Sequence, residues 1–356
     1  MNKILKRILI CAILIFALIG SIVVVVDPFY HYHKPLPGLK GVLTEKEYQC
    51  VGSLRHFDYD AVIAGSSVAE NYNNRWFDDK FGCRTIKAIR SYGATADLCY
   101  FLDEAFEKHE LKYVFYNLDP SSLKTGAYTT FEETGCPMYL YDRNPFNDVN
   151  YLFNKDVLFE RIPYTLAQSL IGDYDEGESY NWGQWKEFNL DMCTGLYLRH
   201  PRIADMKDKN CYDEELVANL SLICDVVEKH PETTFYIFMP PYSMLWWDNV
   251  YREGETEFFL YATEVAMKTL SVYDNVVFEY FMNDREIITN LDSNYMDTLH
   301  FSPDINRYIC DHLGDERYIV DEKSVDSFVS DMSDLAYEIP LELIEPYVPR
   351  IKELIE

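Results

Sequence analysis

Tyr59-Asp60-Ala61-Val62-Ile63-Ala64-Gly65-Ser66-Ser67 is the stretch whose reading decides the fold. A short apolar run closes on a glycine and two serines, and a helical pattern follows near 67–79. An apolar run of about four to eight residues, bounded in this way, suits a strand buried on both faces. The unit recurs along the chain. Candidate strands lie at 84–89, 112–117, 233–239 and 275–280, with helical stretches near 95–110, 213–229 and 253–271. In the stretch 213–229, Leu216, Leu220, Ile223 and Val227 fall on one stripe of a helix. Strands alternating with helices predict an α/β domain of three layers, doubly wound around a mainly five-stranded parallel sheet. Ligands bind such sheets outside the carboxyl ends of the strands, which is where Ser67 falls.

At the other end of the pattern stands Asp297-Thr298-Leu299-His300, after the last candidate strand and therefore on the same sheet edge. A serine needs a base to become a nucleophile, and a histidine needs a carboxylate to hold its tautomer. All three groups are present in the order Ser67, Asp297, His300. Ser67 followed by Glu70 also reads as a capping box. The two readings are compatible, because a helix N-terminus exposes amides that stabilise a developing oxyanion. Phe301-Ser302-Pro303 then opens another helix, with serine at its cap and proline at its first position.

This arrangement resembles the SGNH (GDSL-like) hydrolase and acyltransferase family over roughly residues 58–312, including the run from His300 to Asn306. The resemblance is nearest to the membrane-anchored branch that holds the D-alanine-transfer and polysaccharide O-acetylation proteins. It implies a flavodoxin-like fold, Ser67 as nucleophile with Ser66 in place of the usual aspartate, His300 as base and Asp297 as its orienting carboxylate. It also implies an oxyanion hole built from the Ser67 amide, a glycine after the second strand and an asparagine after the third. Gly93 fits the glycine. The third strand ends Tyr116-Asn117-Leu118-Asp119-Pro120, which puts Asp119 near the asparagine position and Asn117 two residues early. A carboxylate repels an oxyanion unless it is protonated, so Asn117 is the candidate third donor. Arg90, Tyr242 and Trp246 are candidates for holding substrate, the two aromatics by stacking on a sugar ring.

What the resemblance implies in function is O-acyl transfer to a cell-envelope polymer, a glycan or teichoic acid, with a polytopic membrane-bound O-acyltransferase as partner. An esterase that needs no partner is a second class. A non-catalytic module that binds glycan or scaffolds an acylation assembly is a third, and Asp119 is the feature that favours it. No Walker loop, dinucleotide fingerprint or zinc spacing occurs, so neither cofactor nor metal is expected. His31 and His33 have no third ligand close by and read as packing at a membrane boundary.

Among the 356 residues, Lys3, Lys6 and Arg7 precede an uncharged stretch from Ile8 to Val26. At about 1.5 Å per residue this stretch is just long enough to cross the hydrocarbon core of a bilayer. A cleavable signal peptide is the competing reading, but its apolar region is ordinarily shorter and ends in a small-x-small site. The stretch therefore reads as an uncleaved single-pass anchor, with its basic flank in the cytoplasm and the folded part outside the cell membrane. The segments that follow are a juxtamembrane region at 27–58, the α/β domain at 59–320 with an insertion at 120–210, and a helical tail at 321–356. The formal net charge is −27, and residues 1–26 contain no acid, so the folded part is strongly acidic. Such a surface argues against nucleic acid and anionic headgroups as partners. Nine cysteines with no paired spacing read mostly as free thiols.

Overall fold

The run Ala61–Gly65 is buried at every position, and it forms a strand flanked by partners on both edges. In the computed structural model, which describes residues 3–353, the strands in chain order are β1 (Ala61–Gly65), β2 (Thr85–Ile89), β3 (Tyr113–Asn117), β4 (Leu198–Arg199), β5 (Thr234–Met239), β6 (Val276–Tyr280) and β7 (Lys352–Glu353). Five of them make one all-parallel sheet in the order β2-β1-β3-β5-β6, while β4 pairs only with β7. The register sets Ala61 beside both Thr85 and Tyr113, Tyr113 beside Thr234, and Phe235 beside Val276. All five candidate strands are found in this sheet, shifted by at most two residues at their starts.

The chain divides into two compact units, one of residues 1–58 with 131–180, the other of 59–130 with 181 onward. The segment 131–180 thus clusters with the N-terminal region, and the remainder of the expected insertion stays with the sheet. In the sheet unit the helices follow the periodicity closely at Thr95–Lys108 and Asp213–Lys229, which pack on each other. Phe77, Phe81, Phe115 and Tyr236 interlock through ring contacts of 4.7–5.0 Å and fill one layer between helix and sheet. The C-terminal helix Val325–Glu338 packs against Thr256–Leu270.

One helix departs from its pattern. The stretch expected near 67–79 is a single 3-10 turn, Ser67–Ala69, followed after a break by the helix Asn74–Phe81. Asparagine side chains bond nearby backbone and so compete with a continuous helix. Asn73 accepts from the Arg75 amide at 2.9 Å and caps the second helix, while Asn71 accepts the amides of Trp182 and Gly183. Glu70 makes no capping box: it is buried, and its carboxylate accepts the Ser91 hydroxyl at 2.7 Å.

The first unit opens with the helix α1 (Lys3–Val26), which is long and apolar enough to cross a membrane. Asp27 ends it at φ 46°, in the left-handed region, and is fully buried. Its carboxylate gathers the amides of His31, Tyr32 and His33 and the Tyr151 hydroxyl, at 2.7–3.0 Å. Burial raises the Asp27 carboxyl above its ordinary value, and these donors oppose the rise. His33 bonds the Val24 carbonyl at 2.8 Å and closes the last turn of α1, and His31 faces Asp148 at 3.3 Å. Helix Lys46–His56 crosses beneath this knot, where a Cβ on Gly52 would lie 2.4 Å from the Phe29 carbonyl oxygen. Only glycine permits that approach. All nine cysteines are free thiols.

Candidate active site

The strand order places the departures of β1 and β3 side by side, and the chain leaves them towards opposite flanks of the sheet. Gly65 lets this corner close. A Cβ there would sit 2.7 Å from Ala69 Cβ and 2.9 Å from Asn117 Cβ, so any side chain would push the serine turn off β3. Ser67 opens the 3-10 turn, held by the Ala69 amide on the Ser66 carbonyl at 3.0 Å.

The second half of the site comes from the loop after β6. Asp297 organises it through both oxygens. Its Oδ1 accepts the amides of Leu299 and His300 at 3.0 and 2.8 Å, and its Oδ2 meets His300 Nδ1 at 2.7 Å. Burial alone would raise the Asp297 carboxyl. The His300 ring and the two amides outweigh it and hold that carboxyl below the ordinary value, as an anion. The turn is also braced from outside, because Ser243 donates its hydroxyl to the Thr298 carbonyl at 2.6 Å. The Asn306 amide ties the helix Pro303–His312 to the Val68 carbonyl beside the serine, at 3.0 Å.

These supports bring Ser67 Oγ to 2.8 Å from His300 Nε2. With the Nδ1 proton held towards Asp297, Nε2 presents a lone pair to the serine hydroxyl. The three groups form one continuous chain of hydrogen bonds. Trp182, which the sequence reading passed over, completes the wall. Its ring meets the His300 ring edge-on at 5.2 Å, and its Nε1 donates to the Ser67 carbonyl at 3.3 Å. No motif marks Trp182. It arrives through the loop that Asn71 anchors.

The other site residues are placed less simply. Among the described residues the Ser67 amide has no acceptor within the protein. The Gly93 amide, by contrast, donates to the Arg90 carbonyl at 3.0 Å, across a tight turn in which Tyr92 takes φ 54°. It is engaged by its own turn. Asn117 is buried, accepts the Tyr72 hydroxyl at 3.3 Å and donates to Asp119 Oδ1 at 3.0 Å. Its amide holds a carboxylate in this arrangement. Asp119 also takes the Ser66 and Tyr242 hydroxyls, and it lies close enough to His300 to interact with it electrostatically. Burial raises the Asp119 carboxyl, while these donors and His300 draw it back down; the rise prevails.

Tyr242 and Trp246 are buried and pack on each other and on Phe259. Neither offers a ring face on which a sugar could stack. The reason lies in the helix Met244–Arg252, absent from the sequence reading, which turns this aromatic cluster inward. Arg90 is also buried, at the end of β2, with its amide on the Gly65 carbonyl at 3.1 Å.

Set against family models, curated proteins and solved structures, the chain matches none of them.

Proposed function

We propose that this chain is a membrane-anchored, SGNH-like serine acyltransferase or esterase, acting outside the cytoplasmic membrane on a cell-envelope glycan or teichoic acid. The observation that carries the reading is the unbroken relay from Ser67 Oγ through His300 to Asp297, at 2.8 and 2.7 Å. The all-parallel sheet, with the serine leaving β1, is consistent with the three-layer doubly wound fold of that family. In this reading α1 is the anchor, and a polytopic membrane-bound O-acyltransferase supplies acyl groups from across the membrane.

The chemistry follows from the relay. Ser67 Oγ attacks an acyl carbonyl while His300 Nε2 takes the hydroxyl proton, and the Ser67 amide is placed to donate to the resulting oxyanion. The tetrahedral species collapses, the leaving alcohol receives the proton from His300, and the acyl group remains esterified to Ser67. An acceptor hydroxyl or water then repeats the steps in reverse. Asp297 stays ionised and stabilises the imidazolium in both halves.

A fluorophosphonate probe tests this directly, since it requires an activated serine and little substrate recognition. Labelling should occur in the wild type and vanish in Ser67→Ala and in His300→Ala, because triad members act as a unit. Undiminished labelling of Ser67→Ala would point to another nucleophile. One observation favours a second reading, a non-catalytic glycan-binding module: Asp119 stands where the family has an asparagine, and the Gly93 amide is engaged elsewhere. In that case the wild type stays unlabelled.

A further inference from the structure

The helix α1 does not stand alone in its unit. It packs against the short helix Val149–Leu152 and against the π-turn Val157–Arg161, which runs on into the helix Ile162–Leu170. The Phe153 ring meets the Phe16 ring edge-on at 5.3 Å, and it lies 3.9 Å from where a Cβ on Gly20 would be. The shielded positions Ile19, Gly20 and Val23 fall on the stripe of α1 that carries Phe16.

This contact fixes a depth. Phe16 lies ten residues before Val26 and Gly20 six before it. At about 1.5 Å per residue, the Phe153 ring sits ~9–15 Å along the helix axis from the end of α1. The uncharged stretch from Ile8 to Val26 is only just as long as a hydrocarbon core is thick, so it has no spare turn to leave outside. If α1 spans, the Phe153 ring is inside the hydrocarbon.

The segment that makes this contact leaves several large apolar side chains open. Phe146 is 87%, Phe159 73%, Leu170 65% and Ile171 86% exposed. Phe159, Pro163, Ala167 and Leu170 recur at helical spacing on one outward stripe, all of them exposed. Soluble monomers rarely leave such a stripe uncovered. The exposed charges Lys155, Asp156 and Glu160 lie in and just before the π-turn, midway through residues 146–171, and Lys155 pairs with Asp156 at 3.9 Å. Charges at the bilayer centre are costly, so these three reach up towards the headgroups while the apolar side chains point in among the acyl chains. The acidity of the chain supplies no electrostatic pull towards lipid, which leaves apolar burial as the driving term.

We propose that residues 146–171 are a second membrane element, an in-plane segment that sinks Phe153, Phe159, Leu170 and Ile171 among the acyl chains beside α1, in the leaflet facing the folded part. The proposal rests on the reading of α1 as a spanning anchor and goes beyond it, because one spanning helix alone would leave the folded part free to swing. Two insertions side by side fix the orientation of this unit to the membrane plane.

Photo-crosslinking separates the two claims. The full-length protein is reconstituted into phosphatidylcholine vesicles with p-benzoylphenylalanine at Phe16, at Phe159 or at Leu170, irradiated, and analysed by mass spectrometry for lipid adducts. Adducts at all three positions are the expected result. Adducts at Phe16 with none at Phe159 or none at Leu170 overturn the in-plane segment and leave the anchor standing. Cross-links from Phe159 or Leu170 to a second copy of the chain also overturn it, by showing that protein covers the stripe. Absence of lipid adducts at Phe16 removes the anchor, and the proposal with it.

Discussion

Tyr242 donates its hydroxyl to Asp119 Oδ1 at 2.6 Å, one of three side-chain donors that converge on this carboxyl next to the serine turn. The bond turns an aromatic side chain inward and holds a carboxylate where an oxyanion donor is expected. Asp119→Asn keeps an acceptor for Tyr242 and replaces an ionisable carboxyl beside the serine turn with a neutral amide. Fluorophosphonate labelling at neutral pH should speed up on the order of tenfold, equivalent to about 1.4 kcal/mol at the transition state. Slower labelling in this variant would mean that the carboxylate assists the reaction.

Asp297 is expected to act through orientation and charge. Asp297→Asn preserves its size but favours the wrong tautomer of His300. A loss of labelling rate of about 10⁴-fold is expected, with an unchanged melting temperature to within a few degrees. A loss below tenfold would show that His300 is held by something else.

Trp182 is a positioning residue. Trp182→Ala removes both the edge contact to His300 and the bond to the Ser67 carbonyl, and it should slow labelling about tenfold. Trp182→Phe retains the ring contact and should recover most of that loss. If Phe does no better than Ala, the indole N–H bond to Ser67 is what matters, and the ring contact is incidental.

Glu279 gives a pH dependence of stability. It lies fully buried in β6, accepting the Gly314 amide at 2.7 Å, and burial pushes its carboxyl up to about 8. Lys80 partly offsets the rise, and Asp315 adds to it. The folded state therefore holds a proton that the unfolded chain releases near the ordinary value of 4.5. Stability from this group is complete below about 4.5, declines as pH rises, and is exhausted above about 8. Glu279→Gln should match the wild type near pH 4 and exceed it at pH 7 by on the order of 3 kcal/mol, read from urea unfolding at both pH values. Equal stability at pH 7 would rule out a protonated Glu279.

Asp27 holds the connection after α1. Asp27→Ala leaves three amides and the Tyr151 hydroxyl without their acceptor and puts alanine at a positive φ. It should cost about 2–4 kcal/mol locally. Hydrogen exchange at His31, Tyr32 and His33 would rise by orders of magnitude, while amides in β1 and β3 stay protected. Unchanged exchange at these three positions would show that the carboxylate does not order the segment.

The sequence by itself determined the sheet. Largely apolar five- to six-residue strands separated by amphipathic helices have one economical solution, and the five strands formed within two residues of where periodicity put them. It also marked Ser67, Asp297 and His300, because a glycine-serine corner and a D-x-x-H turn are local patterns. What the tertiary structure alone decided was which of the candidate groups are already engaged, by near neighbours as much as by distant ones. The Gly93 amide is taken by Arg90, Asn117 is turned to Asp119, and Trp182 reaches His300 on a loop held by Asn71. Tyr242 and Trp246 lie at the expected edge, yet a helix that begins at Met244 buries them. A motif fixes which atoms are available within a few residues. Which of those atoms are taken up within the protein is settled by turn conformation, hydrogen bonds and packing, which leave no periodic trace.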